Sequence, residues 1–190
     1  GFGEYGAQKK DLFEYDPQRQ INPNIPTWKK MRDLPANGRQ DAIAFTILNK
    51  AYIGLGNDDT LCYNDFWVFD PELGGEYGSW SRREDFPAEP RTKAFGMSID
   101  DEGFIGGGEI WVNDTIALKK DFWMYDPYDN RWVPKADYGG GVISDGVAFS
   151  LGKNYGYAGI GVTIEGLEYT YSTFFWRYSP YDRNTDIINQ

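Results

Sequence analysis

A chain of 190 residues with 41% hydrophobic and 17% aromatic residues has enough apolar mass for a packed core, and its aromatics together with 23 glycines favour strands and tight turns over helices. A formal charge of −10 with no histidine repels polyanions, so nucleic acid is excluded as a natural partner. The single cysteine, Cys62, has no intrachain disulfide partner, no Cys or His cluster offers a structural zinc site, and no apolar run approaches a membrane span.

The first residues, Gly1-Phe2-Gly3-Glu4-Tyr5-Gly6, contain neither a start Met nor a basic region followed by an apolar one, which predicts a processed, trimmed or incomplete N-terminus. Asp11-Leu12-Phe13-Glu14-Tyr15-Asp16-Pro17 then reads as a strand, ended by Asp-Pro because proline supplies no strand donor and presets a turn. Arg39 precedes an apolar run, Asp41 to Ile47, followed by Asn49-Lys50 and a second run, Ala51-Tyr52-Ile53-Gly54-Leu55-Gly56; this is a hairpin pattern. A loop from Asn57 to Asn64 leads to Asp65-Phe66-Trp67-Val68-Phe69-Asp70-Pro71, and Ser79 to Asp85, around Trp80, predicts a fourth strand.

The same series follows again. Arg91 stands before Ala94-Phe95-Gly96-Met97, Gly106-Gly107-Gly108 closes the next run, and the loop Glu109 to Lys120 leads to Asp121-Phe122-Trp123-Met124-Tyr125-Asp126-Pro127 and Trp132. A last copy places Ser144 in the arginine slot, then Gly159 and Gly161, the loop Val162 to Ser172, and Phe174-Phe175-Trp176-Arg177-Tyr178-Ser179-Pro180. The closing prolines lie 54, 56 and 53 residues apart, the tryptophans 28, 80 and 132 lie 52 apart, and Gly3, Gly56, Gly108 and Gly161 fall at intervals of 53, 52 and 53. Unrelated residue types sharing one period are the mark of a structural repeat.

The glycine pairs ending the second strand (Gly54/Gly56, Gly106-Gly107-Gly108, Gly159/Gly161), the aromatic about ten residues later and the spaced Trp resemble the Kelch repeat over essentially the whole chain. The Asp-Phe-Trp-x-Tyr-Asp-Pro form is similar to Kelch propellers of secreted or surface-anchored bacterial proteins. The resemblance implies an all-β, Kelch-type β-propeller of four-stranded antiparallel blades, and a secreted, periplasmic or cell-surface location. The register divides the chain into a partial blade (1–37), two blades (38–89 and 90–142) and a second partial blade (143–190), an incomplete propeller of about four blades. It predicts a piece of a longer propeller, with an unusual four-bladed form as the alternative. Open blade edges would permit self-association.

In such a propeller, the loops from strand two to strand three share a face with those entering strand one, and variable loops on a repeated scaffold tend to carry function. The candidate ligand residues there are Asp58, Asp59 and Tyr63 in one unit, Trp111, Asn113 and Asp114 in the next, and Tyr169 and Tyr171 in the last. Carboxylates interleaved with aromatics suit a carbohydrate, whose ring faces stack on Trp or Tyr, and would also suit Ca²⁺, although no spacing matches a defined calcium loop. A solvated acidic surface is the competing account. Arg39 and Arg91 occupy one repeated position; the resemblance implies that arginines on that face grip acidic peptides, whereas position-locked repetition is what a scaffold needs and favours a brace between loop and blade. The spaced tryptophans and the Phe-Trp pairs read as core between blades.

No cofactor or metal is implied: copper chemistry of the galactose-oxidase kind needs histidines, and phosphate-loop, nucleophile-elbow and zinc-protease motifs do not occur. The sequence therefore points to a non-catalytic recognition module for a glycan or a protein. The alternatives are part of a carbohydrate-processing Kelch enzyme, mutarotase- or oxidase-like, with its catalytic residues elsewhere, and a structural or adaptor propeller of a larger surface protein.

Overall fold

The structure is a computed structural model that describes residues 8–18, 26–113, 115–165 and 168–181. Period-two alternation of apolar residues shapes it. In β3 (Ile43–Ile47), Ile43, Phe45 and Ile47 are buried while Ala44 and Thr46 point outward, and the strand runs antiparallel to β4 (Lys50–Gly54). Their turn centres on Leu48-Asn49, one residue before the expected Asn49-Lys50, with both residues left-handed at φ 49° and 62°, the geometry that matches strand twist in a two-residue hairpin. The meander continues through β5 (Phe66–Asp70) and β6 (Ser79–Arg82) to complete a four-stranded sheet. Before it stand β1 (Phe13–Tyr15) and β2 (Trp28–Lys30), paired with each other.

The next sheet opens with β7 (Phe95–Ile99) and β8 (Glu102–Gly106). A self-paired hairpin, β9 (Glu109–Val112) and β10 (Thr115–Leu118), interrupts it before β11 (Phe122–Asp126) and β12 (Arg131–Lys135) finish the four-stranded order. The last sheet has β13 (Val147–Leu151) and two long strands, β14 (Tyr155–Glu165) and β15 (Glu168–Tyr178). The fold is thus all-β with antiparallel four-stranded sheets, as the repeat predicts.

The repeated glycines are dictated by close approach. A Cβ on Gly54 would sit 2.7 Å from the Asp65 carbonyl oxygen and from the Phe66 ring, and Gly56 and Gly108 hold left-handed φ of 86° and 92° against the chain entering the first strand. Successive sheets pack face to face. Ile43 and Phe45 lie over Gly96 and Gly103, and Met97 and Ile99 lie over Gly156, so small residues on one sheet receive large ones from its neighbour. Aromatic rings seal the joint: Phe66 meets Tyr125 at 4.8 Å and Trp132 at 5.0 Å between centroids. The Trp80 and Trp132 indoles also donate to the carbonyls of Arg32 and Glu84 in the preceding unit, at 2.8 and 2.9 Å.

Candidate functional site

The strand-one entries run side by side. Asp41, Lys93 and Asp145 are each left-handed, at φ 52°, 54° and 53°, and the Lys93 and Asp145 amides donate to the carbonyls of Asp41 and Lys93 at 3.2 and 3.0 Å. The Lys93 ammonium reaches Glu109 at 3.2 Å and Asp145 at 3.5 Å. Burial works against its charge, but the two carboxylates prevail and hold it above the ordinary lysine value.

Two residues upstream of Asp41 and Lys93 stand Arg39 and Arg91, with only 3% and 0% of their surface exposed. The Arg39 guanidinium forks onto Asp65 at 2.5 and 2.9 Å and donates to the Leu55 carbonyl at 3.1 Å; Arg91 repeats this on Asp121 at 2.6 and 2.9 Å and on the Gly107 carbonyl at 3.0 Å. Each carboxylate also accepts from an indole two residues on, Trp67 or Trp123, at 2.7 Å. Burial pushes Asp65 and Asp121 up, but the arginine and indole donors outweigh it and leave both below the usual carboxylate range. This geometry favours the brace over the peptide grip for both arginines. The bridges Gln40–Asn57, Thr92–Glu109 and Ser144–Val162 place Ser144 beside Gln40 and Thr92, so the arginine slot of the last unit is held by buried Ile143 and not by Ser144.

The loop after β4 is tied to itself. Asp58 accepts from the Thr60 hydroxyl at 2.6 Å, the Leu61 amide at 2.9 Å and the Tyr63 hydroxyl, and these donors hold its carboxyl far below the usual range. Asp59 accepts from Gln40 at 2.9 Å and from Gln8. The Tyr63 hydroxyl accepts from Asn37 at 2.9 Å while the ring lies 4.5 Å below the Arg39 guanidinium. Burial, then its bond to Asp58, raises the Tyr63 phenol. These three residues order the loop and leave little hydrogen-bonding capacity for a ligand.

Trp111, Asn113, Tyr169 and Tyr171 are arranged differently. The β9–β10 hairpin places Trp111 opposite Ile116 on one face, and Asn113 makes its turn at φ 47°. The projecting end of β14–β15 aligns Ile164 with Tyr169 and Val162 with Tyr171. The Tyr169 hydroxyl donates to the Ile116 carbonyl at 3.3 Å, which joins the two hairpins into one crest. Along it Trp111, Val112, Ile116, Ile164, Tyr169 and Tyr171 all stand exposed, Tyr171 by 83%. Asp114 lies outside the described residues. The aliphatic members were missed in the sequence, although Val162-Thr163-Ile164 and Tyr169-Thr170-Tyr171 carry the β-branched and aromatic alternation of a strand. A polar cleft of about 440 Å³ elsewhere on the molecule is lined by Lys9, Lys10, Asp11, Lys30, Asp33 and Asn37.

Among the described residues no group of three or more His, Cys, Asp or Glu side chains could hold a metal ion, and no helix is long and apolar enough to cross a membrane. No protein-family model matches the chain. It is similar to the Kelch repeat and BTB domain-containing protein 8 of Xenopus tropicalis, 31% identical over an alignment of 77 residues that covers 38% of this chain and 13% of that protein. Among solved structures it resembles the structure of YjhT, with a TM-score of 0.60 at 21% identity, over 70% of this chain and 37% of that one. The chain thus spans a minor part of both relatives. Repeat register, sheet order and structural likeness converge on one fold, the Kelch-like β-propeller.

Proposed function

We propose that this chain is a non-catalytic recognition module that takes hold of a protein partner through the crest formed by β9–β10 and β14–β15. The observation that supports this is the Tyr169–Ile116 hydrogen bond, which joins two exposed apolar hairpins into a continuous surface. Rigid aromatic anchors set among smaller apolar residues are the composition of protein-binding hot spots. The partner's complementary surface is apolar at its centre and basic around it, matching a chain of net charge −10.

A glycan is the second reading, favoured by the open ring faces of Trp111 and Tyr171, on which a sugar could stack. A display selection against the chain and a glycan array separate the two. The selected ligand should bind Trp111→Ala and Tyr171→Ala about 10-fold to 100-fold more weakly, as for loss of a central aromatic anchor. Unchanged affinity in both variants would show that the crest is not the site. The propeller of a secreted, periplasmic or cell-surface protein is a setting consistent with this role, testable by fractionating cells that express the full reading frame.

A further inference from the structure

The β14–β15 hairpin is longer than the body of its sheet. In the two four-stranded sheets the last strand covers residues 67–70 and 122–126 of the third. That stretch begins at, or one residue after, the phenylalanine paired with the second-strand glycine, Phe66 with Gly54 and Phe122 with Gly106. Phe175, paired with Gly159, holds the same place in the last sheet. Residues 168–172 therefore lie beyond the stretch that a fourth strand covers in this fold, carried outward by their pairing with residues 161–165.

The direction of the backbone there follows from one contact. Val162 exchanges amide and carbonyl with Ser144, at 2.8 and 2.9 Å, so its peptide groups face away from β15. In an antiparallel ladder its opposite number, Tyr171, then turns its own N–H and C=O the other way, off the outer side of β15. Period two gives Tyr169, opposite Ile164, the same attitude. Among the described residues no backbone group pairs with either tyrosine on that side, where β15 is the edge of the sheet.

The side chains leave this edge receptive. Edges are ordinarily blunted by lysine, proline or a bulge. Residues 168–172 read Glu-Tyr-Thr-Tyr-Ser, with neither lysine nor proline, and the register shift of β14–β15 lies nearer the blade, between Gly159 and Gly161. Tyr169 and Tyr171 are 57% and 83% exposed, and Glu168 beside them is exposed as well.

We propose that the protein partner of the crest contributes an extended segment that adds to the outer side of β15 as a further strand, exchanging backbone hydrogen bonds with Tyr169 and Tyr171. Alternate side chains of the added strand are apolar where they lie beside the two tyrosines, and one at its end is Lys or Arg, facing Glu168 in a chain of net charge −10. This mode of engagement rests on the recognition role proposed for the crest.

A display selection of linear peptides against the full 190-residue chain supplies the probe, and amide exchange followed by NMR reads it out. In the free chain the Tyr169 and Tyr171 amides should exchange fast, and that of Thr170, turned inward on Thr163, slowly. With the peptide bound, both tyrosine amides should be protected at least about 10-fold more. N-methylation along the peptide should show the same two-residue period, weakening binding about 10-fold at residues whose N–H meets β15 and little at those between. Binding that is lost in Trp111→Ala yet leaves both amides fast overturns strand addition while keeping the crest as a side-chain surface. Binding indifferent to Trp111→Ala, with both amides still fast, removes the crest reading too. A selection that returns no peptide also overturns strand addition. So does a parent chain that dimerises in sedimentation with these amides protected, because a second copy then occupies the edge.

Discussion

At the residue scale, the carboxylate that opens the third strand decides how the interior of each unit is satisfied. Asp65 and Asp121 each gather an arginine fork and an indole N–H, so a buried cation, a carboxylate and a tryptophan are satisfied together. In the last unit Ile143 stands for the arginine and Phe174 for the aspartate, and the Trp176 indole nitrogen is accordingly buried without a hydrogen-bond partner. Charge and counter-charge are absent as a pair, the substitution that buried ion pairs tolerate best. Asp121→Ala removes the bidentate partner of a fully buried Arg91, leaving it the more distant Glu89 at 3.4 Å, and should cost about 3 kcal/mol in urea denaturation, whereas Arg91→Ile combined with Asp121→Phe, which copies the last unit, should recover at least half of that loss. Phe174→Asn supplies Trp176 with a neutral acceptor at an exposed position and should gain about 1 kcal/mol; no gain would mean that the asparagine amide does not reach the indole.

At the element scale, the β9–β10 hairpin pairs with itself and touches the strand-one entry through the Glu109–Thr92 bridge, while β8 pairs directly with β11, so the sheet does not depend on the hairpin tip for register. Replacing residues 111–116 with a two-residue turn should leave the thermal midpoint within a few degrees and abolish binding of any ligand that the crest captures; a large fall in the midpoint would instead make the hairpin part of the core. Much of this element was hidden in the sequence. The glycines and tryptophans were legible because a Cβ at Gly54 collides with the neighbouring strand and because an indole must reach the preceding unit, constraints that recur at every joint. The segments 109–120 and 162–172 looked like loops because variable sequence was equated with irregular backbone, yet both form paired strands. The one-residue error at Ser144 has a simpler origin: the tryptophan and glycine marks differ by one in their spacing, and only the bridges between strands fix the register at Ile143.

At the scale of the whole molecule, stability rests on joints that are apolar at the flanks of each sheet and ionic where the arginines anchor the strand ends. The ionic part carries a pH signature. Asp65 and Asp121 titrate below their ordinary value in the folded chain, since the arginine and indole donors overcome the burial that opposes them. In the unfolded chain an aspartate titrates near about 3.9. The folded state therefore binds fewer protons, and the stabilisation is fully present above that value and lost as pH falls through the lower folded pKa. The urea midpoint should accordingly be nearly flat from neutrality to about pH 5 and drop below about pH 4. Protonating other carboxylates on a chain with 29 acidic and 19 basic residues adds repulsion between cations at low pH, a background shared by any variant with nearly the same charge. The Arg91→Ile, Asp121→Phe variant has the same net charge as the parent and one ionic anchor fewer, so its midpoint should fall less steeply between pH 5 and pH 2. Parallel curves for the two proteins would mean that the Arg91–Asp121 fork contributes nothing to the acid transition, and that the apolar joints alone decide when the sheets come apart.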